Sequence, residues 1–263
     1  QNKHTRNNGA PRMTLSVLQK TPVLIHDPYP HVIIEDALPE DIYNQLDKEW
    51  PTQQLLATAP FDNGICYRLK SDQMLKQGVV SDIWKEFSEY HTSADFYKEV
   101  KNIFGDLMPD IKNISETISP RGWDKGGDKI GTDCQTVMHE PVDFSSRTPH
   151  IDNPREIYAG LLYMPYADCE STGGEFQIHK QSAKVTEVNK NGGRSVGDKA
   201  GEIVKTVPYK RNTFVMFCNN STNTVHSVSA RKNAIRHRRS VNIIAEYNKV
   251  ARRSMFDVKE LRK

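Results

Sequence analysis

The spacing of apolar residues along the chain changes near residue 130. Before that point they recur every three or four positions, as in Ile42, Leu46 and Trp50 and again between residues 80 and 111. This spacing places apolar side chains on one face of an amphipathic helix. After residue 130 the chain consists of short β-branched and aromatic runs separated by Gly, Pro, Asn and Ser, which is typical of strands. We therefore predict helices first and strands afterwards.

The predicted strands are short, and turn residues separate them. An apolar run within 31–38 predicts one more strand ahead of the helices. Many short strands joined by turns favour a sandwich or barrel over a parallel α/β sheet. The predicted fold class is α+β, mainly β, with a jelly-roll core (a double-stranded β-helix, cupin-like) and N-terminal helices packed on the major sheet. The later strands are predicted within 133–142, 156–164, 173–180, 201–209, 212–219, 224–230 and 238–247.

The length of 263 residues, with 37% hydrophobic and 26% charged residues, predicts one elaborated globular domain. Residues 1–20 are predicted to be a flexible N-terminal arm or a remnant of cloning, and 21–263 a single domain. The polar, Gly-rich segment 181–200 is either a mobile hairpin over a site or a disordered excursion. Within the domain, we expect a helical part at 21–129, the jelly-roll core at 130–248 and a basic C-terminal tail at 249–263.

Charge and cysteine content narrow the classes of partner. The net charge of +3 argues against nucleic-acid binding, although the basic run at 229–239 keeps a phosphate-binding patch as a lesser alternative. No apolar run approaches the roughly 18 residues of a membrane span, and no secretory signal is evident. The scattered cysteines favour reduced thiols and a cytoplasmic protein, with neither a zinc knuckle nor a dense disulfide framework. They are Cys66, Cys134, Cys169 and Cys218.

One short motif suggests a metal centre. His150 and Asp152 are two positions apart, so on extended backbone their side chains point to the same face. His226 follows in a later predicted strand. Two histidines and one carboxylate form the facial triad that holds non-haem Fe(II) and leaves coordination positions open. We therefore predict an iron site.

The last predicted strand carries a second signal. Arg238, Ser240 and Asn242 share one face, whereas Arg239, Val241 and Ile243 share the other. If the apolar face packs on the helices, Arg238 points into the barrel, where it could bind a carboxylate bidentately with help from Ser240. A slip of one residue in the strand register would give that role to Arg239, or even to Arg236. A co-substrate with a distal carboxylate is the predicted ligand.

From residue 134 to 247 the chain resembles the Fe(II)/2-oxoglutarate-dependent oxygenases. The motif "HIDNP" followed by "LLYM" most resembles the prolyl-hydroxylase-like branch, and the segment "PYPHVIIEDALPEDIYNQL" resembles that family's N-terminal strand and helix. The resemblance implies a non-haem dioxygenase. It also implies roles for six residues: His150, Asp152 and His226 as the catalytic iron ligands, and Arg238, Ser240 and Tyr163 as 2-oxoglutarate-binding residues.

The same resemblance implies the reaction. Fe(II), 2-oxoglutarate and O2 would be required, with ascorbate as a candidate reductant, and succinate and CO2 would be the co-products. The expected outcome is hydroxylation of an unactivated C–H bond in a small molecule or an amino-acid side chain. Asp152 argues against halogenation, because related halogenases carry a small residue there. Desaturation and demethylation remain compatible with these residues.

The substrate is open at this stage. Candidate substrate contacts are Arg155 and Tyr158 after the motif, Trp123, and His139. Basic residues at 121, 147, 155 and 194 either attract an acidic substrate or are ordinary surface charges. The alternatives are a peptidyl, prolyl-type hydroxylase, a nucleic-acid demethylase and a non-enzymatic cupin-like module that binds a metal or ligand. The oligomeric state is left open.

Overall fold

Two β-sheets and a group of helices make up the computed structural model of this chain. It describes residues 15–60, 65–108, 118–120, 130–143, 147–153, 155–182, 194–219 and 223–247. The protein is mainly β, as the strand pattern predicts. No helix among these residues is long and apolar enough to cross a membrane.

The helices precede most of the strands. They are α1 (Glu40–Lys48), α2 (Thr52–Leu56), α3 (Ser71–Met74), α4 (Asp82–His91) and α5 (Ala94–Phe104), and Gly105–Leu107 and Gly197–Ala200 form 3-10 turns. The strands are β1 (His31–Ile34), β2 (Cys66–Leu69), β3 (Ile118–Pro120), β4 (Ile130–His139), β5 (His150–Ile151), β6 (Glu156–Tyr163), β7 (Phe176–Lys180), β8 (Arg194–Ser195), β9 (Glu202–Val207), β10 (Phe214–Cys218), β11 (His226–Val228) and β12 (Arg238–Tyr247).

Seven of these strands form the larger sheet, in the order β1-β10-β6-β12-β4-β2, with β3 beside β4. The smaller sheet has five strands in the order β8-β5-β11-β7-β9. The pairs are antiparallel apart from β3 with β4. Strands from both sheets line one cavity, so the sheets face each other across it.

The predicted amphipathic helices pack on the larger sheet. Trp84, Phe87 and Phe96 are fully buried, and they belong to the same apolar cluster as Val241 and Ile243 of β12. Between α4 and α5, the Ser93 hydroxyl accepts the backbone N–H of Phe96 at 3.3 Å, which caps the start of α5. Alternate residues of β12 therefore face the helices, as the sequence predicts.

The start of the described chain differs from the predicted flexible arm. Leu15, Val17 and Leu18 are buried in the main apolar cluster. The Ser16 hydroxyl donates to the Glu99 carboxylate at 2.6 Å, and the Val17 N–H donates to the His91 ring at 3.3 Å. These few apolar residues form no periodic pattern, so the sequence gives no sign that they are buried. The core of the domain thus begins before residue 20.

Two further segments depart from expectation. Strand β2 was not predicted, because its four residues, CYRL, form no apolar or β-branched run. In the segment predicted to be a mobile or disordered loop, Arg194–Ser195 is strand β8, which pairs with β5, and a 3-10 turn follows. Residues 183–193 of that segment, Trp123 and the basic tail lie outside the described residues.

Candidate metal centre and active-site cavity

His150, Asp152 and His226 converge on one point. His226 of β11 pairs directly with His150 of β5, and Asp152 follows two positions later. One ligand atom from each residue lies within 4.8 Å of the others. Each histidine Nε2 is 3.4 Å from an Asp152 carboxylate oxygen. The predicted triad is therefore assembled by strand pairing.

Backbone carbonyls orient both imidazoles. The Nδ1–H of His150 donates to the carbonyl of Thr148 at 2.7 Å, and that of His226 to the carbonyl of Thr224 at 2.9 Å. Because a carbonyl can only accept, each Nδ1 carries the proton and each Nε2 lone pair faces Asp152. The ring of Phe176 also stacks on His226 at a centroid distance of 5.1 Å. These contacts hold both nitrogens ready to coordinate a cation.

The charge states suit a metal ligand set. Burial, together with a smaller effect of the neighbouring His226, lowers the pKa of His150 to about 4. Burial by itself raises the pKa of the Asp152 carboxyl, but the adjacent imidazoles more than offset this and hold the pKa well below its ordinary value. At neutral pH the site therefore offers a neutral nitrogen from His150 and an ionised carboxylate.

A positive group already lies at these ligand atoms. The guanidinium of Arg147 donates to His150 Nε2 at 3.1 Å and lies 3.6 Å from the Asp152 carboxylate. A cation is thus attracted to the place where the lone pairs meet. Two imidazole nitrogens and one carboxylate oxygen are ligands that suit Fe(II) and leave positions open. The residues present therefore fit such an ion.

The triad opens into a cavity of about 460 Å³ between the two sheets. This is within the range of roughly 300–1,000 Å³ found for small-molecule sites. Phe176, Phe217 and Leu161 give it apolar walls. Its polar lining residues outside the triad include Arg68, Gln135, His139, Arg147, Arg238, Ser240 and Asn242.

Arg238 is the buried cation of this cavity, with only 3% of its surface exposed. Its Nε donates to the carbonyl of Gly174 at 3.1 Å, and its guanidinium lies over the rings of Tyr163 and Tyr209 at 5.2 and 5.0 Å. Its Nη2 is buried and has no hydrogen-bond partner among the described residues. A buried donor without a partner costs about 1–3 kcal/mol or more, so this nitrogen suits an incoming carboxylate.

Gly174 makes room for that guanidinium. Its φ is +81°, and an added Cβ would lie 3.2 Å from the Arg238 Nε. Such a φ disfavours side chains, and the approach is tighter than an ordinary contact. Gly174, two residues before β7, is thus required by the backbone conformation and by the placement of Arg238.

The other two predicted co-substrate residues differ in their access to the cavity. Ser240 lines the cavity, two positions beyond Arg238 and opposite Tyr163 in the strand pairing. Tyr163 is fully buried and packs behind the Arg238 guanidinium, outside the lining of the cavity. Burial raises the pKa of Tyr163 to about 12, so its hydroxyl is neutral.

No protein-family profile and no curated protein sequence matches the chain. Among solved structures, it is similar to a prolyl 4-hydroxylase from Phytophthora capsici, with 14% identity, a TM-score of 0.52 and coverage of 94% of this chain and 70% of that one. The chain shares the fold of a prolyl 4-hydroxylase. The resemblance seen in the sequence is thereby confirmed at the level of the fold.

Two bacterial structures give weaker matches. A prolyl 4-hydroxylase from Pseudomonas putida is 13% identical, with a TM-score of 0.47 and coverage of 90% of this chain and 98% of that one. An oxidoreductase of the 2OG-Fe(II) oxygenase family from Burkholderia pseudomallei is also 13% identical, with a TM-score of 0.48 and coverage of 95% and 97%.

Within this prolyl 4-hydroxylase fold, the two alternative arginines lie away from the cavity. Arg239 points to the helices, where its Nε donates to the Met164 carbonyl at 2.8 Å and its guanidinium pairs with Asp47. Arg236 is exposed and pairs with Asp168. The register slip considered from the sequence is therefore absent, and Arg238 is the one of the three that lines the cavity.

Of the predicted substrate contacts that the structure describes, one lines the cavity and two do not. His139 lines the cavity and pairs with Arg238 across the strands. Tyr158 instead faces the helices, 6.2 Å from the ring of Tyr97, and Arg155 lies beside Glu246 at 4.0 Å. Neither Tyr158 nor Arg155 is among the described residues that line the cavity. The cause for Tyr158 is its position on β6, where Ala159 and Leu161 face the cavity whereas Tyr158 and Leu162 belong to the cluster that contains the helices.

The sequence reasoning missed Arg68 and Gln135. Gln135 is four positions before His139 on β4, so the period of a strand could have identified it. Arg68 gave no such signal, because β2 is short and its place beside β4 depends on a distant pairing. Arg147 was considered only as one of several possible surface charges, whereas it lies against the triad.

Proposed function

We propose that the protein is a non-haem Fe(II)/2-oxoglutarate-dependent dioxygenase. In this proposal it hydroxylates an unactivated C–H bond and releases succinate and CO2. The observation that carries the proposal is that His150, Asp152 and His226 share one cavity with Arg238, whose buried Nη2 has no hydrogen-bond partner in the described part of the chain. A metal set alone would suit many functions, but a cation-binding and a carboxylate-binding group together match this co-substrate.

We further infer that the two facing sheets are a double-stranded β-helix. The prolyl 4-hydroxylase likeness and the residues from both sheets around the cavity support this reading. In such a frame, the smaller sheet holds the metal ligands. The larger sheet holds Arg238 and Ser240.

The metal would be held by the Nε2 atoms of His150 and His226 and by the Asp152 carboxylate. Bound Fe(II) would supply the redox chemistry that couples decarboxylation of 2-oxoglutarate by O2 to C–H oxidation, with one oxygen atom in succinate and the other in the product. The chain contributes ligand orientation, because the carbonyls of residues 148 and 224 fix both imidazoles.

Arg238 would bind the distal carboxylate of 2-oxoglutarate. Its guanidinium is held in place by the Gly174 carbonyl and two tyrosine rings, so little conformational freedom remains to be lost on binding. Ser240 adds a hydroxyl on the same face. Phe176 and Phe217 add apolar walls to the same cavity, and a less polar surrounding strengthens an ionic contact.

The substrate we favour is a small molecule or a single amino-acid side chain. A peptidyl, prolyl-type substrate is the second candidate, and the likeness to a prolyl 4-hydroxylase fold is the observation that favours it. Screening by succinate release against free metabolites and proline-containing peptides separates the two. Because Asp152 occupies one metal position, halogenation is not part of the proposal.

The decisive experiment is an anaerobic titration with Fe(II) followed by 2-oxoglutarate. We expect the weak visible charge-transfer band of an iron-bound keto acid in the wild type. Arg238→Gln should need at least about tenfold more 2-oxoglutarate, because a charge-assisted contact is lost. Arg236→Gln, which removes an exposed arginine paired with Asp168, should behave as wild type.

Other outcomes would point elsewhere. If no band forms in a protein whose triad is intact, the dioxygenase proposal fails and a cupin-like ligand-binding module takes its place. If the band forms but Arg238→Gln binds 2-oxoglutarate as tightly as the wild type does, iron binding stands and the role of Arg238 is rejected.

A further inference from the structure

Two side-chain amides lie next to each other on the cavity face of the larger sheet. Gln135 of β4 is directly opposite Asn242 of β12 in the strand pairing, and both residues line the cavity. Side chains that are opposite each other on antiparallel strands have Cβ atoms about 5 Å apart. Ser240 lies between Arg238 and Asn242 on this face of β12, so both amides are farther along the sheet from Arg238. The contacts proposed for 2-oxoglutarate therefore leave the two amides unused.

The amide of Gln135 is held in one orientation. Its Nε2 donates to the Oδ2 of Asp133 at 2.6 Å, and the Oδ1 of Asp133 accepts the backbone N–H of Ser71 at 2.9 Å and its hydroxyl at 2.8 Å. All three residues are buried. Because carboxylate and amide oxygens both accept, the nitrogen of Gln135 must face Asp133 and its Oε1 must face away. No described residue donates to that Oε1, so a fixed acceptor is left for a ligand.

Asn242 supplies the complementary group. The hydroxyl of Ser240 donates to the Oδ1 of Asn242 at 3.5 Å, a long hydrogen bond that turns this oxygen toward Ser240. The Nδ2 of Asn242 then carries two N–H donors, and no residue within the described ranges accepts them. With the Oε1 of Gln135 beside it, this wall of the cavity presents one acceptor and one donor side by side.

An adjacent acceptor and donor match one edge of an amide group. In a primary carboxamide or a lactam ring, one N–H lies on the same side as the carbonyl oxygen, so both can bond to one wall. A trans peptide bond has its N–H and its carbonyl on opposite sides, so it can use only one of the two groups. A carboxylate has no N–H for Gln135, and an ammonium has no acceptor for Asn242. The pair thus selects a neutral amide edge.

We propose that Gln135 and Asn242 are specificity-determining residues for the primary substrate, and that this substrate is a small molecule with a primary carboxamide or a lactam. The Oε1 of Gln135 accepts the substrate N–H, and the Nδ2 of Asn242 donates to the substrate carbonyl. This inference rests on the proposed function, because it takes the amide to belong to the molecule whose C–H bond is oxidised. The cavity of about 460 Å³ has room for such a molecule beside the co-substrate.

The test uses Mn(II)-loaded protein saturated with 2-oxoglutarate, with acetamide, 2-pyrrolidinone and N-methylacetamide as probes. Paramagnetic relaxation of the probe protons reports binding near the metal. We expect saturable enhancement for acetamide or 2-pyrrolidinone, and the tighter of these two distinguishes a carboxamide from a lactam substrate. N-methylacetamide, which has the trans geometry of a peptide bond, should bind more weakly. In Gln135→Met and in Asn242→Leu, the affinity for the tighter probe should fall about fivefold, as expected for the loss of one hydrogen bond.

Gln45→Met is the matched control. Gln45 is an exposed glutamine of α1 whose amide also donates to a carboxylate, that of Glu49 at 3.3 Å. This variant should bind each probe as the wild type does. The proposal is overturned if neither acetamide nor 2-pyrrolidinone shows enhancement in the wild type, or if N-methylacetamide binds as tightly as the better of them. Equal binding in Gln135→Met and the wild type also overturns it, because the probes would then bind elsewhere near the metal.

Thermal unfolding of the metal-free protein, with and without each probe, separates this inference from the proposed function. If Mn(II) and 2-oxoglutarate fail to bind but acetamide or 2-pyrrolidinone stabilises the wild type more than Gln135→Met, the dioxygenase proposal fails and the amide site stands. If both cofactors bind but no probe distinguishes Gln135→Met from the wild type, only the amide site is rejected. The unfolding temperature without probe shows whether each variant is folded, and Asn242→Leu supplies the same comparison if Gln135→Met is not.

Discussion

Arg238 and Arg239 are consecutive, equally buried and chemically identical, yet the two faces of β12 use them differently. Arg239 faces the helices, where Asp47, the Met164 carbonyl and the ring of Tyr166 all contact it. Arg238 faces the cavity and keeps one nitrogen without a described partner. On one face the arginine is part of the packing, and on the other it is left available to a ligand.

The two histidines on these faces show the same contrast. His91, in the helical layer, uses both ring nitrogens: Nδ1 donates to the Phe87 carbonyl and Nε2 accepts the Val17 N–H. His139, in the cavity, leaves Nδ1 without a described partner. The ring of His91 is thus satisfied by its packing, whereas His139 keeps one ring nitrogen without a described partner on the face where we propose that ligands bind.

The largest expected effect comes from the proposed metal ligands. Asp152→Asn removes the anionic ligand and keeps the shape of the side chain, so we expect Fe(II) affinity and succinate formation to fall at least about a hundredfold. The exposed carboxylate variant Asp168→Asn is the control. Metal titration and a succinate assay measure the effect, and wild-type iron affinity in Asp152→Asn would remove Asp152 from the metal site.

Neighbouring leucines on β6 test the division between the faces. Leu162 is fully buried on the helical side, whereas Leu161 lines the cavity. Leu162→Ala should lose about 3 kcal/mol of unfolding free energy, and Leu161→Ala about 1 kcal/mol, because only the first leaves a closed void. Urea unfolding measures both values. Equal losses would contradict the assignment of one face to packing.

The arginine pair gives the next effect. Arg239→Gln leaves the Asp47 carboxylate and the Met164 carbonyl without their partner, so we expect a loss of about 2 kcal/mol in unfolding free energy. Arg238→Gln removes a cation that has fewer contacts, and the loss should be under about 1 kcal/mol. Their urea midpoints provide the comparison. A larger loss in Arg238→Gln would show that Arg238 is primarily structural.

The last effect concerns pH. Burial lowers the pKa of His91 to about 3, so His91 gains a proton on unfolding between that value and about 6.5. The contribution of the neutral His91 ring to the free energy of unfolding is complete above pH 6.5 and is lost as the pH falls toward 3. Between pH 7 and pH 5 this loss amounts to about 2 kcal/mol. Urea unfolding gives the difference in unfolding free energy between pH 7 and pH 5. This difference should be about 2 kcal/mol smaller in His91→Gln than in the wild type. An unchanged difference would mean that His91 is not buried as a neutral ring.

Sequence reasoning succeeded where a local period or a fixed chain order carried the information. His150 and Asp152 are two apart, and Arg238 and Ser240 lie on one face of a long strand, so their shared orientation follows from backbone geometry. Tyr158 was misplaced because the turn between β5 and β6 interrupts the alternation. Knowing which residues of one strand face the cavity therefore does not predict which residues of the next strand face it.

Other features depend on contacts between distant segments. Arg68 reaches the cavity only because β2 adds to the outer edge of β4. Leu15 and Val17 are buried only because they meet the helical layer. No pattern within either segment indicates these long-range contacts, so they could not be predicted from the sequence.

Because His150 pairs directly with His226, a bound metal would affect how resistant the folded protein is to proteolysis. Strand β5 is only two residues long, and a metal bound by both histidines would fasten it to β11 across a long stretch of chain. Binding to the native state alone adds about 2.7 kcal/mol at a ligand concentration one hundred times the dissociation constant. Iron supply would then govern how long the protein survives proteolysis, and iron-starved cells would hold less of it at an unchanged rate of synthesis.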